Sequence, residues 1–67
     1  MTFKLNDQPL DLQSPGTLQT LLRELGLGER RGIALAVNDT VVPRVQWHAR
    51  PIAEGDRVVI IQAAQGG

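Results

Sequence analysis

Apolar and polar residues alternate from the first positions of the chain. Phe3 and Leu5 interleave with Thr2 and Lys4, and after Asn6-Asp7 the alternation resumes with Leu10 and Leu12 against Pro9 and Asp11. A period of two predicts a pair of half-buried strands. Asn and Asp both tolerate positive φ, so Asn6-Asp7 reads as the tight turn of a hairpin. Pro9 falls near the start of the second strand, a position where a strand accepts proline. Gln13-Ser14-Pro15-Gly16 is a loop by composition. The period then lengthens. Leu18, Leu21, Leu22 and Leu25 stand at i, i+3, i+4 and i+7 and share one helical face. Thr17 occupies the N-cap position, and Gly26 the position of a left-handed C′ residue. So short a helix needs a surface to pack on.

Ile33-Ala34-Leu35-Ala36-Val37 is an unbroken apolar run and predicts a strand covered on both sides, at the centre of a sheet. Asn38-Asp39 is a second turn signal, and Val41-Val42 a short strand that stops at Pro43. The stretch from Arg44 to Pro51 holds Trp47 and His48 without a clean period and reads as an irregular crossing segment with room for one helical turn. Glu54-Gly55-Asp56 is a turn. Arg57-Val58-Val59-Ile60-Ile61-Gln62 is the strongest strand in the chain. The order β-β-α-β-β-β, with the helix crossing back over one face, predicts an α+β fold. The layout is that of the ubiquitin-like β-grasp: a mixed four- to five-stranded sheet with one helix packed on one face. Residues 1–62 form the domain, and residues 63–67 a flexible tail ending in Gly-Gly. The strands around Val41 and Val58 to Ile61 are apolar at both parities, so apolar surface is left on the helix-free face. Val59 and Ile60 are its candidate partner-docking residues.

Composition narrows the function. The chain has 67 residues, enough for one small core, and no Cys. Disulfides and thiolate zinc sites are therefore out, a single His cannot build a metal cage, and zero Cys fits a reducing compartment. Seven basic and seven acidic residues cancel, and Phe3 and Trp47 are the only aromatics, which argues against a nucleic-acid partner. The N-terminal residues lack the apolar core of a signal peptide, and no apolar run approaches a membrane span, so the expectation is a cytoplasmic domain with no membrane association. His48 is the only His and Ser14 the only Ser, with nothing to bring them together, and the carboxylates are spread singly. No catalytic residue is assigned and the chain is not expected to be an enzyme. Trp47 reads as a core or lid residue and His48 as a surface or partly buried one. The arginines of Gly28-Glu29-Arg30-Arg31-Gly32 read as part of a solvated loop, since no strand leads into a GxxxxGK pattern.

The end of the chain carries the chemistry. Gly66-Gly67 places a carboxylate on a residue with no Cβ to crowd the carbonyl carbon, and paired glycines pass through a narrow channel. Ala63, Ala64, Gln65, Gly66 and Gly67, fully extended, reach about 17 Å. That is enough for the tail to thread into a partner's active site while the domain docks outside. A C-terminal carboxylate, with an ordinary pKa of about 3.5, is ionised at neutral pH and a poor electrophile. It reacts only after activation by another enzyme, for example as an acyl-adenylate.

Several segments together resemble the ThiS-type sulfur carriers of thiamine biosynthesis, within the ubiquitin-like β-grasp superfamily. They are Leu5-Asn6-Asp7-Gln8-Pro9, the helix from Thr17 to Gly26, Ala36-Val37-Asn38-Asp39-Thr40-Val41-Val42-Pro43-Arg44, Trp47, and Glu54 to Gly67 with its Gln-Gly-Gly end. The resemblance implies a carrier and co-substrate. An E1-like adenylating enzyme consumes ATP and magnesium to make the acyl-adenylate at Gly67, a persulfide-bearing sulfur-donor protein converts it to a thiocarboxylate (1-thioglycine), and thiazole synthase takes the sulfur. No cofactor is bound permanently. Two departures stand out: both turns read Asn-Asp where Asn-Gly is usual, and Ala64 stands where a branched residue is common. Two alternatives stay open: a sulfur carrier for molybdopterin or amino-acid sulfur transfer, and a β-grasp interaction module with an inert tail.

Overall fold

The computed structural model describes residues 1–28 and 31–62. The tail, residues 63–67, and Glu29-Arg30 of the charged loop lie outside the described residues. Strands β1 (Thr2–Leu5) and β2 (Gln8–Asp11) form the first hairpin, helix α1 (Leu18–Glu24) follows, and β3 (Ile33–Val37) and β4 (Thr40–Val42) form the second. A 3₁₀ helix (Arg44–Ala49) leads to β5 (Arg57–Gln62). The five strands make one sheet in the order β2-β1-β5-β3-β4. β5 runs parallel to β1, and the other pairings are antiparallel. The mixed sheet with one short helix on it is the expected β-grasp arrangement.

Local chemistry sets each element. Asn6, Asp7, Asn38 and Asp39 all have positive φ, between 50° and 71°, so both hairpins turn through two left-handed residues. This is the turn whose twist matches that of the strands it joins. Thr17 caps α1, its hydroxyl accepting from the Thr20 N–H at 3.3 Å. The helix ends in a Schellman arrangement: Gly26 at φ 75° donates to the Arg23 carbonyl at 3.0 Å and Leu27 to the Leu22 carbonyl at 2.8 Å. Leu27 then packs against the core, the apolar contact that accompanies this cap.

The core lies between α1 and one face of the sheet. Leu18, Leu21 and Leu22 of the helix pack with Phe3, Ile33, Leu35, Val37, Val42 and Val58 of the strands. Leu25, the fourth of the helical stripe, is the C-cap residue and is exposed. Trp47 and Ile52 close the end of the core. The Trp47 indole N–H donates to the Val42 carbonyl at 2.8 Å, and the Arg44 guanidinium lies 4.8 Å from the ring centroid. The segment after the 3₁₀ helix is held to the start of α1 through Leu18 N–H to Arg50 C=O at 3.0 Å and Ile52 N–H to Gly16 C=O at 2.9 Å.

Two expectations change. The central strand is β5, and β3 lies one place from the edge. Nor is β3 covered on both faces: Ile33, Leu35 and Val37 are buried under the helix, whereas Ala34 and Ala36 are half-buried on the open face. Alanine methyls look apolar in a sequence but present too little surface to require cover. The stretch from Arg44 is also more regular than its pattern suggests, because it winds as 3₁₀ turns with Trp47 pointing into the core.

Candidate functional site: the open sheet face and the exit of β5

The candidate site is built on β5. Val58 is buried under the helix, so Val59 and Ile61, at the opposite parity, stand on the open face with 39% and 50% of their surface exposed. Sheet register places Ala36 beside Val59 and Ala34 beside Ile61, and Val41, 65% exposed, beside Ala36. These five residues form one apolar patch. Lys4 and Arg57, paired across β1 and β5, border it with positive charge. Arg57 is tied to Asp39 at 2.7 Å, an exposed contact of little energetic weight.

Of the two candidates for this face, Val59 and Ile60, Val59 is the one that stands on it. Ile60 shares the parity of Val58, is half-buried and packs against the core under the helix. Its open-face counterpart is Ile61. A charge pattern or composition does not separate the two, but one buried reference residue on the strand does, because side chains alternate. The predicted sulfur-attachment residue Gly67 and the tail residues Ala63, Ala64, Gln65 and Gly66 lie outside the described residues. They continue the chain from Gln62, the last residue of β5.

Side chains from both hairpin turns hold β5. The Asn6 side-chain oxygen accepts from the Ile60 N–H at 2.8 Å, and the Asn38 side-chain oxygen accepts from the Arg57 N–H at 3.0 Å. Asn38 also donates through Nδ2 to Asp56 Oδ1 at 3.0 Å, and Asp56 Oδ2 accepts from the Ala53 N–H at 2.8 Å. Asp56 is the buried charged residue of the described chain, 8% exposed. The sequence pattern by itself does not mark these roles, since Asn6, Asn38 and Asp56 all sit in turn signals. The available signal was that both turns begin with Asn, the one turn-forming residue whose side chain both tolerates positive φ and offers a donor and an acceptor.

Two concavities flank this framework. One, of about 200 Å³, lies between α1 and the 3₁₀ helix and is lined by Gln19, Leu22, Gly28, Arg44, Val45, Trp47 and His48. Among the described residues that line it, no nucleophile stands beside a base. The other, a groove of about 420 Å³, is lined by Leu5, Asn6, Leu25, Leu27, Ile60 and Gln62 and runs along the exit of β5. Among the described residues no three His, Asp or Glu side chains gather to hold a metal. The geometry offers an apolar open face and a strand, β5, whose last residue is Gln62.

Comparison with known proteins agrees with this arrangement. The model of the ThiS family matches residues 2–67. The sulfur carrier protein ThiS of Escherichia coli is 34% identical over 67 residues, covering all of both chains. The sulfur carrier protein ThiS of Thermus thermophilus is 33% identical over 63 residues, covering 94% of this chain and 95% of that one. The crystal structure of the thiamine biosynthesis protein ThiS from Geobacter metallireducens superposes with a TM-score of 0.84 at 22% identity over the whole of both chains, which establishes the shared fold. The chain belongs to the ThiS family.

Proposed function

We propose that this protein is a sulfur carrier of thiamine biosynthesis that works in the cytoplasm as a co-substrate of other enzymes. The observation that carries the reading is family membership that spans residues 2–67, the Gly66-Gly67 pair included. The open apolar face around Val59, Ile61 and Val41 supplies the docking surface for an E1-like adenylating enzyme and for thiazole synthase. Residues Ala63 to Gly66 thread into the partner's active site.

The chemistry follows from the carboxylate. An oxygen of the Gly67 carboxylate attacks the α-phosphorus of ATP in the adenylating enzyme, with magnesium, and pyrophosphate leaves. The acyl-adenylate is now an electrophile with no Cβ at its carbon. The terminal sulfur of a protein persulfide attacks it and AMP departs. A second thiol cleaves the resulting acyl disulfide and frees the thiocarboxylate, which thiazole synthase consumes. The carrier needs no Cys of its own, because the sulfur rides on the chain end.

The test is direct. The protein is incubated with the adenylating enzyme, ATP and a sulfur source, treated with a thiol-alkylating reagent, and weighed intact. Exchange of oxygen for sulfur nearly matches one oxidation at Met1 or Trp47 in mass. Alkylation separates the two, since the chain has no Cys. An adduct mapping to Gly67, absent after deletion of Gly67, supports the carrier reading. No adduct, with the enzyme shown to be active on another carrier, favours an interaction module with an inert tail.

A further inference from the structure

Among the described residues, the sheet leaves backbone groups without a neighbouring strand at its two outer edges and at the end of β5, among other places, and these three are not alike. In β1 and β5 the Lys4 N–H donates to the Asp56 carbonyl and the Asn6 N–H to the Val58 carbonyl, both at 2.9 Å. Even-numbered residues of β5 therefore direct their backbone toward β1, and odd-numbered ones toward β3. Carrying this alternation outward, β2 turns the backbone of Pro9 and Asp11 to its open edge, and β4 turns that of Val41, followed by Pro43. Both outer edges thus carry a proline at an outward amide position, where the N–H that a new strand would need is missing.

The third place is the end of β5. β1 stops at Leu5, and the Asn6 side chain takes up the Ile60 N–H as a substitute for one more ladder bond. The next groups on that side, the Ile60 carbonyl and the Gln62 N–H, have no β1 residue opposite them. β5 continues to Gln62, paired there among the described residues with Ile33 of β3. This vacated lane opens into the groove floored by Leu5, Leu25, Leu27 and Ile60. Backbone groups at strand spacing beside an apolar channel fit an extended peptide with one apolar side chain pointing inward.

We infer that the β1-side edge of β5 at Ile60 to Gln62 is a strand-accepting site. Its occupant is an extended segment of the adenylating enzyme, which adds to the sheet in the lane β1 leaves and aligns the tail that begins at the next residue. This rests on the carrier reading and adds a backbone-directed clamp to the apolar docking face. The two devices lie on different sides of β5: side chains of Val59 and Ile61 on the open face, and main-chain groups plus Leu25 and Leu27 at the edge. The clamp fixes the direction of the tail, where the flat apolar face fixes only position.

The probe is the adenylating enzyme without ATP, added at saturation to the full chain. Amide exchange at Gln62 should slow at least tenfold in the complex. Gln62→Pro, which deletes an N–H that serves no ladder bond toward β3, should weaken binding at least tenfold, whereas Gln62→Ala should stay within about threefold of the unsubstituted chain. Leu27→Lys supplies a second variant, which alters the groove and leaves the sequence of the tail intact, and it should weaken binding likewise. Folding is checked by exchange at Ile61, which pairs with β3 and should be unaltered in Gln62→Pro.

Gly67 thiocarboxylation is measured in parallel. An adduct with an unprotected Gln62 and an unweakened Gln62→Pro overturns the edge site and leaves the carrier standing. A protected Gln62 without an adduct overturns the carrier chemistry and keeps the edge site. Loss of both complex and adduct overturns both. Protection of Gln62 in the free chain that rises with its own concentration would overturn the enzyme as occupant in favour of a second copy.

Discussion

Asn38, in the turn of the second hairpin, donates through its side-chain amide to the buried carboxylate of Asp56 at 3.0 Å, eighteen residues away in sequence. The same Asn38 accepts from the Arg57 N–H, and its own N–H donates to the Arg57 carbonyl at 2.9 Å. One side chain thus locks a turn, the loop before β5 and the first residue of β5 into a single unit. Asp56→Ala removes the acceptor for both Asn38 and the Ala53 N–H and should cost roughly 2–3 kcal/mol. Asn38→Ala loses that bond, the acceptor for the Arg57 N–H and the residue type that tolerates a φ of 52°, so it should cost about as much, and the double variant less than the sum, because the two share a bond. Urea unfolding of the three proteins gives the answer; additive losses would show that the two side chains are not coupled.

Asn6 does two jobs that different substitutions separate. Asn6→Gly keeps the positive φ of 50° but removes the acceptor for the Ile60 N–H, whereas Asn6→Ala removes both. We expect a loss of about 1 kcal/mol for glycine and distinctly more for alanine. Amide exchange at Ile60 should quicken in both. If Ile60 exchange is unchanged in Asn6→Gly, the side-chain bond is not what protects it.

The two Asp residues at the second turn positions differ in what holds them. Asp7 and Asp39 have φ of 68° and 71°, a region where glycine carries no Cβ penalty. Asp39 also pairs with Arg57. Asp7→Gly should raise stability by about 0.5–1 kcal/mol, and Asp39→Gly by less, because it gives up the exposed ion pair. Thermal melts in low and high salt check this: the gap between the two variants should narrow as salt rises, and a gap that widens contradicts the assignment.

A charge on neighbouring β5 residues should have opposite consequences. Val59→Glu lies on the open face and should cost about 1 kcal/mol, the order of a strand-propensity change, while lowering affinity for the adenylating enzyme at least tenfold. Ile60→Glu buries a carboxylate against the core beside Leu5 and should cost roughly 2–4 kcal/mol. Binding isotherms set beside unfolding curves separate the two; equal stability losses would mean the faces have been misassigned.

Trp47→Phe keeps most of the ring volume and removes the donor to the Val42 carbonyl. The expected loss is roughly 1–3 kcal/mol, from an unpaired buried acceptor and a partial void. The effect should reach the 3₁₀ helix first, seen as faster exchange at Arg50, whose N–H bonds to the Trp47 carbonyl. Unchanged exchange there would place the role of Trp47 in bulk packing alone.

Much of this protein is legible in its residues because local rules decide it. Alternation at Phe3 and Leu5, the leucine spacing of α1, Thr17 and Gly26 at its ends, and Asn-Asp at two turns depend only on neighbours in the chain. The tertiary structure decided what depends on distant partners. Sheet order put β5, not β3, at the centre. Parity against the helix put Ile60 inside and Ile61 outside, which a strand apolar on both faces cannot announce. Packing brought Asn6 and Asn38 from opposite hairpins onto one strand, and Asp56 into a buried network, because hydrogen bonds between residues up to 54 positions apart leave no periodic trace in a sequence.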